Sequence, residues 1–124
     1  MGSIKNRRTL IITDIHERLV TLTILEEYLK QANSCVFLGD WFDTFAQYSE
    51  DRVRQVCEWI VRHIEDKPAW TFLLGNHDTH YASGNGMYGC SGYSPRTRDI
   101  VEKLISKDIW RCFHIYPKVG PYLA

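Results

Sequence analysis

The sequence has no excess of charge of either sign, no long apolar run and no closely spaced cysteine pair. Lys plus Arg and Asp plus Glu each number 15 among 124 residues, so the net charge is zero and no basic field indicates binding to nucleic acid or an anionic membrane. The apolar run nearest the N-terminus has three residues and ends at Thr13, which fits neither a signal peptide nor a membrane span. We therefore expect a cytoplasmic protein with no membrane partner.

The spacing of the four cysteines argues against a zinc knuckle. They lie more than twenty residues apart, so no Cys-x-x-Cys pair is present for a zinc knuckle. Three of them have apolar neighbours, where a free thiol behaves as a small hydrophobic side chain. We expect reduced thiols in a reducing compartment. No internal repeat or linker divides the sequence, which indicates a single domain over residues 1–124.

Three short apolar runs, at residues 10–12, 35–38 and 71–74, each end at polar residues. Because these runs are continuous rather than alternating, they are typical of strands covered on both faces, as in parallel sheets. A fourth run, at residues 109–116, predicts another strand.

Helical patterns lie between these runs. Residues 49–65 carry apolar residues at three- and four-residue spacing, and their first residue, a serine, can cap the helix. A shorter helix is predicted over residues 22–32, where Thr23 and Glu26 have the spacing of a capping box. A third helix is predicted to begin at the Ser-Pro dipeptide of residues 94–95.

The alternation of strands and helices predicts an α/β fold, a layered sheet of mainly parallel strands with helices on its faces. A dinucleotide-binding domain shares this order of elements. In this sequence, however, Thr13 to His16 follow the first strand where a glycine fingerprint would be needed.

Polar residues of the kind that bind metals follow the first three runs. The carboxyl ends of parallel strands meet at one rim of the sheet, where ligands bind. Carboxylates, an amide and imidazoles suit manganese, iron or zinc, and a pair of such ions can activate a water and hold the oxygens of a phosphate. Taken singly, the aspartates could instead cap helices, and residues 76–78 could form an ordinary polar turn. The candidates are Asp14 and His16, then Asp40 and Asp43, then Asn76 and His77.

The motifs D-x-H, G-D-x-x-D and G-N-H-D occur in that order between residues 10 and 78, each after a predicted strand. In this arrangement the sequence resembles the calcineurin-like metallophosphoesterase superfamily. The resemblance implies an enzyme with two divalent metal ions, expected to be manganese, with iron or zinc as alternatives. It also implies hydrolysis of phosphomonoesters or phosphodiesters by a metal-bound hydroxide. The substrate would be a phosphorylated small molecule, a nucleotide or a nucleic acid.

The resemblance assigns the metal ligands by position in the motifs. Asp14 and His16 would bind the first metal, and Asp40 would bridge both metals. Asn76 would bind the second metal and would also contact the phosphate of the substrate.

The same resemblance assigns the proton donor. His77 would be the general acid that protonates the leaving oxygen, and it would also contact the substrate. Asp43 would orient the imidazole, since a neighbouring carboxylate fixes the tautomer and raises the pKa of a histidine. Asp78 is expected to support the turn rather than to bind metal.

The sequence also departs from the superfamily pattern. Relatives complete the site with a further histidine and a Gly-His-x-His motif, which this sequence does not contain. His80 is expected in a lid or a plain loop and His114 inside a strand, so neither is taken as the missing ligand. We therefore expect a partial domain that lacks the C-terminal half. The alternative to an enzyme is a catalytically incomplete fragment or a non-catalytic scaffold of the same fold.

Smaller features leave further alternatives open. Glu17 stands where many relatives have glycine, and Thr44 stands where protein phosphatases have arginine, which disfavours a protein phosphatase. Trp41, Phe42 and Phe45 could line a substrate pocket, although packing in the core is favoured. His63 lies among the polar positions of its helix and is expected to be solvated.

Overall fold

The computed structural model describes residues 8–44, 46–66, 69–82, 92–114, 118–119 and 122–123. Strands and helices alternate through the first three strands, as the sequence predicts, and helices then follow one another. The elements in chain order are β1 (Thr9–Ile12), α1 (Leu19–Leu29), β2 (Ser34–Phe37), α2 (Glu50–Ile64), β3 (Trp70–Phe72), α3 (Asn76–Ala82), α4 (Pro95–Leu104), α5 (Lys107–Trp110), β4 (Lys118–Val119) and β5 (Tyr122–Leu123).

The main sheet has three parallel strands in the order β1-β2-β3. Its register pairs Ile12 with Phe37 and Phe37 with Phe72, so the last residues of all three strands lie side by side. The loops that follow these strands therefore begin at the same edge. This arrangement confirms the predicted α/β class and its parallel strands, while β4 and β5 form a separate antiparallel pair.

The hydrophobic core joins this sheet to the helices, and helix α2 contributes more of its buried residues than any other helix. Phe37 stacks on Phe72 with ring centroids 5.0 Å apart, and Trp41 stacks on the same Phe72 ring at 5.5 Å. Trp41 and Phe42 are completely buried, which confirms the core interpretation for these two residues, while Phe45 lies outside the described residues. Helix α2 turns its apolar stripe inward, with Val53, Val56, Cys57, Trp59, Ile60 and Ile64 buried.

The helices α2 and α4 begin where the sequence predicts. The Ser49 hydroxyl accepts a hydrogen bond from the amide of Arg52 at 3.3 Å. The Ser94 hydroxyl does the same for Thr97, and Pro95 occupies the first turn of α4. These caps satisfy amide groups that have no partner within a helix.

Helix α1 corrects the predicted start and the predicted capping box. The helix begins at Leu19 rather than at residue 22, and its N-cap is Arg18, which makes no side-chain cap. Thr23 lies inside the helix, where its hydroxyl donates to the carbonyl of Leu19 at 3.2 Å. A threonine within a helix satisfies its hydroxyl in this way, so the spacing to Glu26 carries no capping role.

The strand predicted over residues 109–116 is wrong in its first part. Residues 107–110 form the short helix α5, capped by Ser106, whose hydroxyl accepts from the amide of Ile109. Ile109 and Phe113 are buried four residues apart, which is a helical spacing. Only His114 reaches the sheet among the described residues of this segment, through a single parallel bridge to Leu73. Residues 115–116 lie outside the described residues.

The structure also decides the expectations for His63 and the buried cysteines. His63 is half-buried rather than solvated, because its ring lies 4.2 Å from that of Trp59 and 5.5 Å from that of Trp70. Cys35 and Cys57 are free thiols, and burial raises the pKa of each to about 12. Among the described residues, no helix is both long and apolar enough to cross a membrane.

Candidate metal centre and proton donor

The loops that follow β1 and β2 have an unusual backbone. Among the residues that the structure describes, five other than glycine have a positive φ angle, and all five lie in these two loops. L-residues rarely adopt this conformation, which costs free energy and is found most often at functional sites. The turns redirect the chain over the carboxyl end of the sheet. The residues and their φ angles are Asp14 (56°), His16 (45°), Glu17 (62°), Asp40 (60°) and Asp43 (67°).

Three of the predicted ligands converge at this rim. The candidate ligand atoms of Asp14, His16 and Asp40 all lie within 4.8 Å of one another. Nε2 of His16 is 3.6 Å from Oδ1 of Asp14. His16 is buried, while the side chain of Asp14 is 56% exposed, so the group opens to solvent on one side. Two carboxylates and one imidazole are a donor set that fits a divalent transition metal.

The surroundings of His16 determine which ring nitrogen can bind a metal. Nδ1 lies 3.0 Å from the carbonyl oxygen of Phe42 and 2.9 Å from that of Asp43. Carbonyl oxygens only accept hydrogen bonds, so Nδ1 carries a proton and donates it. In the neutral ring, Nε2 then keeps its lone pair, and it is the atom beside Asp14. A backbone acceptor of this kind orients many metal-binding histidines.

Asp40 connects all three loops of the rim. Its carbonyl accepts from the amide of His16 at 2.9 Å, and its Oδ1 accepts from the amide of His77 at 3.1 Å. Its own amide donates to Oδ2 of Asp78 at 2.7 Å. The carboxylate predicted to bridge two metals is therefore held at the centre of the group by hydrogen bonds on either side.

Two glycines allow the second and third loops to approach each other. A Cβ atom on Gly39 would lie 2.2 Å from the amide nitrogen of Gly75, and one on Gly75 would lie 2.2 Å from Oδ1 of Asp40. Real Cβ atoms do not approach other atoms so closely, so each position needs a hydrogen in place of a side chain. Gly39 also has a φ angle of 101°, which other residues rarely adopt.

Asp78 stabilises this contact between the two loops. It is completely buried, and its carboxylate accepts hydrogen bonds from the amides of Gly75, Asp40 and Trp41. Burial raises its pKa to about 7 despite these three donors. The bond from Gly75 confirms the expected turn role, and the other two bonds extend that role to the loop after β2.

His77 and Asp43 lie together beside the candidate metal ligands. Nδ1 of His77 is 3.0 Å from Oδ2 of Asp43, whose side chain is 2% exposed. The rings of His77 and His16 meet edge to face with centroids 5.0 Å apart. Asn76 is the first residue of α3, next to the residue whose amide bonds to Asp40. The predicted role of Asn76 as a ligand of a second metal stays a prediction.

Three residues near Asp43 were missed or misjudged from the sequence. His80 lies neither in a lid nor in a plain loop: it is completely buried in α3, with Nε2 2.8 Å from Oδ2 of Asp43. The hydroxyl of Tyr81 donates to Oδ1 of Asp43. Glu17 is buried as well, accepts from the amide of Asp43 at 2.9 Å, and has its pKa raised, chiefly by burial.

A sequence signal for two of these residues exists. His80 and Tyr81 follow His77 by three and four residues, which places all three on one face of a helix. Recognising that α3 begins at Asn76 would have revealed this shared face. No comparable signal marks Glu17, because a glutamate with a positive φ angle is not anticipated from sequence.

The fold and the rim together define an α/β protein with a candidate metal centre at the carboxyl ends of its strands. Residues 7–120 match the family described as calcineurin-like phosphoesterase, so the chain belongs to that family. This match confirms the resemblance seen in the motifs and extends beyond them. Family membership indicates metal-dependent hydrolysis of phosphoesters on a phosphorylated substrate. Neither the comparison with curated proteins nor that with solved structures finds a significant match.

Proposed function

We propose that this chain hydrolyses phosphomonoesters or phosphodiesters at the rim formed by Asp14, His16, Asp40 and Asn76, with His77 as the proton donor. The observation that carries the proposal is the contact between two groups of different chemistry. The ring of His16, a candidate metal ligand, lies 5.0 Å from the ring of His77, which is paired with a buried carboxylate. Metal ligands next to a histidine that is paired with a carboxylate suit two steps at one phosphorus atom: attack by water and protonation of the leaving oxygen.

We assign two divalent ions to these residues, and the first ion has more protein ligands than the second. Asp14 and His16 would hold the first ion, Asp40 would be shared, and Asn76 would hold the second. Bound ions would lower the pKa of a water molecule and offset the negative charge of the phosphate oxygens. Manganese is the proposed metal, although iron and zinc accept the same oxygen and nitrogen donors.

His77 supplies the proton that the leaving oxygen needs. Its Nδ1 faces Asp43, so this nitrogen donates to the carboxylate, and Nε2 is the nitrogen that carries the transferable proton. The Asp43 carboxylate fixes the tautomer and the direction of the imidazole. General acid catalysis of this kind contributes about 10²–10⁴-fold to a rate.

The substrate class is proposed from what the rim offers. A phosphorylated small molecule or a nucleotide fits a rim that holds phosphate through metals, and a nucleic acid is the alternative. The net charge of zero gives the chain no overall positive field to attract a long polyanion. Thr44 supplies no guanidinium beside Asp43 to bind a phosphate, which disfavours a phosphoprotein substrate.

The proposal is tested by manganese-dependent hydrolysis of an aryl phosphomonoester and an aryl phosphodiester. Asp40→Asn removes the charge of the central ligand with little change in shape, and we expect the rate to fall at least about 100-fold. Asp66→Asn is the matched control, because Asp66 is exposed at the end of α2. Equal rates in Asp40→Asn and wild type would refute a metal centre built on Asp40. The ester hydrolysed faster would identify the substrate class.

The second candidate is a non-catalytic metal-binding scaffold of the same fold. It is favoured by the ligand count, since the described residues gather three His or carboxylate ligands in one group. His80 contacts Asp43 instead of joining that group. Titration with manganese, followed by electron paramagnetic resonance, counts the bound ions. One bound ion and no hydrolysis would favour the scaffold, whereas two ions with hydrolysis would favour the enzyme.

A further inference from the structure

The carboxylate of Asp43 receives contacts from three side chains of one helix. His77 Nδ1 and His80 Nε2 lie 3.0 Å and 2.8 Å from the same oxygen, Oδ2. The hydroxyl of Tyr81 donates to the other oxygen, Oδ1. Because His77, His80 and Tyr81 occupy positions i, i+3 and i+4 of α3, a single helical turn directs all three groups at one carboxylate.

His80 and Tyr81 have little freedom to leave this arrangement. They are 0% and 1% exposed, and their rings pack edge to face at 4.2 Å. Tyr93 stacks on Tyr81 at 5.4 Å and meets His80 at 5.0 Å. The amide of Ser94 donates to the Tyr81 hydroxyl oxygen at 3.1 Å, so that hydroxyl has both an acceptor and a donor. Burial and Asp43 raise the pKa of Tyr81, which keeps the phenol protonated.

The backbone of Asp43 is fixed as well. Its amide donates to Glu17, its carbonyl accepts from His16, and its φ angle is 67°. A Cβ on Gly92 would lie 3.0 Å from the Cβ of Asp43, so the chain packs closely over this side chain. Burying a carboxylate among polar groups costs free energy, and a core of this size has no packing need for it. Such a fixed and costly arrangement indicates a role in the site.

We propose that His80 and Tyr81 are positioning residues for proton transfer by His77, acting through the carboxylate of Asp43. The inference rests on the proposed function, in which His77 is the proton donor. His80 and Tyr81 hold the two oxygens of Asp43 so that Oδ2 stays in line with Nδ1 of His77. Without them the carboxylate can rotate, and the imidazole loses the contact that fixes its tautomer and direction.

The first test measures His77 by nuclear magnetic resonance in metal-free protein, and therefore needs no catalytic activity. In wild type we expect a strongly downfield Nδ1 proton for His77 that exchanges slowly with water. Tyr81→Phe removes one oxygen, and His80→Leu removes the imidazole, so we expect this signal to be lost or broadened in each. His80→Gln places an amide nitrogen near the position of Nε2 and is expected to restore the signal. Tyr28→Phe, at an exposed tyrosine of α1, is the matched control.

The second test compares substrates with different leaving groups under manganese. An alkyl phosphate needs a proton on its leaving oxygen, whereas a nitrophenyl phosphate needs little help. We expect Tyr81→Phe and His80→Leu to lower kcat for the alkyl ester about ten- to a hundred-fold more than kcat for the nitrophenyl ester, with KM nearly unchanged. His77→Asn should show the same selectivity to a greater degree.

The outcomes separate this inference from the proposed function. The positioning role is refuted if Tyr81→Phe and His80→Leu leave both the His77 signal and the leaving-group selectivity unchanged. The proposed proton donor still stands in that case, provided that His77→Asn alters the selectivity. If His77→Asn itself does not alter the selectivity, the proposed proton donor fails. Should His80→Leu not fold, Tyr81→Phe decides, because it removes one oxygen from a residue that otherwise keeps its packing.

Discussion

Helix α2 buries apolar side chains against the sheet, whereas the loops after β1 and β2 and the start of α3 bury polar ones. The buried face of α2 is entirely apolar and the helix is capped by Ser49. At the rim, two loops contain all five of the left-handed residues other than glycine in the described part of the chain. Of the buried polar residues in the described chain, all but Thr97 lie at this rim: His16, Glu17, Asp43, Asp78 and His80.

This difference separates the residues that stabilise the fold from the residues whose placement costs stability and is explained by the chemistry of the site. Apolar burial at α2 lowers the free energy of the folded state directly. Positive φ angles and buried carboxylates raise it, and they persist only where the surrounding structure compensates. At the rim this compensation is visible, since Asp78 and Asp43 each receive several hydrogen bonds or ion-pair contacts. Substitutions at α2 should therefore change stability through volume, and those at the rim through backbone geometry.

Gly39→Ala should cause a larger loss of stability than Ile60→Ala in helix α2. The new Cβ would lie 2.2 Å from the amide nitrogen of Gly75, and the φ angle of 101° is unfavourable for alanine. Overpacking and backbone strain together predict a loss of about 3–5 kcal/mol in the free energy of unfolding. Urea denaturation followed by circular dichroism measures it.

Gly92→Ala is the matched control for this variant. Gly92 also has a positive φ angle, 94°, but the nearest atom to a new Cβ would be a side-chain carbon of Asp43 at 3.0 Å rather than a backbone atom at 2.2 Å. We expect its loss to be clearly smaller. Equal losses for both variants would mean that backbone conformation, and not the contact between the loops, determines the cost.

Ile60→Ala tests the apolar side of the comparison. Ile60 is completely buried, and removing its side chain leaves a cavity, so we expect a loss of about 3 kcal/mol. Its neighbour Val61 is 38% exposed, and Val61→Ala should lose less than about 1 kcal/mol. The same urea experiment measures both. A similar loss for the two variants would contradict the inward orientation of the Ile60 face of α2.

The elements that the sequence predicts well are those with a single strong signal. Helix α2 combines a helical apolar stripe with a capping serine, and the three strands are continuous apolar runs that end at polar residues. The run at residues 109–116 is also apolar, yet an apolar run by itself does not distinguish a strand from a buried helical turn. For that segment the capping serine, Ser106, was the decisive signal for α5.

The grouping of three candidate ligands was predictable from the sequence, but the groups that support the site were not. Asp14, His16 and Asp40 come together as the motifs indicate. The groups that hold Asp43, by contrast, depend on where α3 begins and on a left-handed loop at Glu17. A loop in which successive L-residues take positive φ angles has no local propensity that favours it, so tertiary contacts have to enforce it. Such contacts join residues about 26 positions apart in sequence, as between Glu17 and Asp43, and single-sequence patterns do not record them.

The smallest predicted effect compares the observed N-cap of α2 with the cap that the sequence predicts for α1. Ser49→Ala removes the hydroxyl that accepts from Arg52, and the loss of an N-cap costs about 1 kcal/mol. Thr23→Ala removes a hydroxyl from the interior of α1, where alanine is the better helix former, so the free energy of unfolding should stay within about 0.5 kcal/mol of wild type or rise slightly. Urea denaturation of both variants measures the difference. Because the capping-box spacing of Thr23 and Glu26 predicts a cap that the structure does not contain, an equal loss in both variants would mean that α1 begins at Thr23 after all.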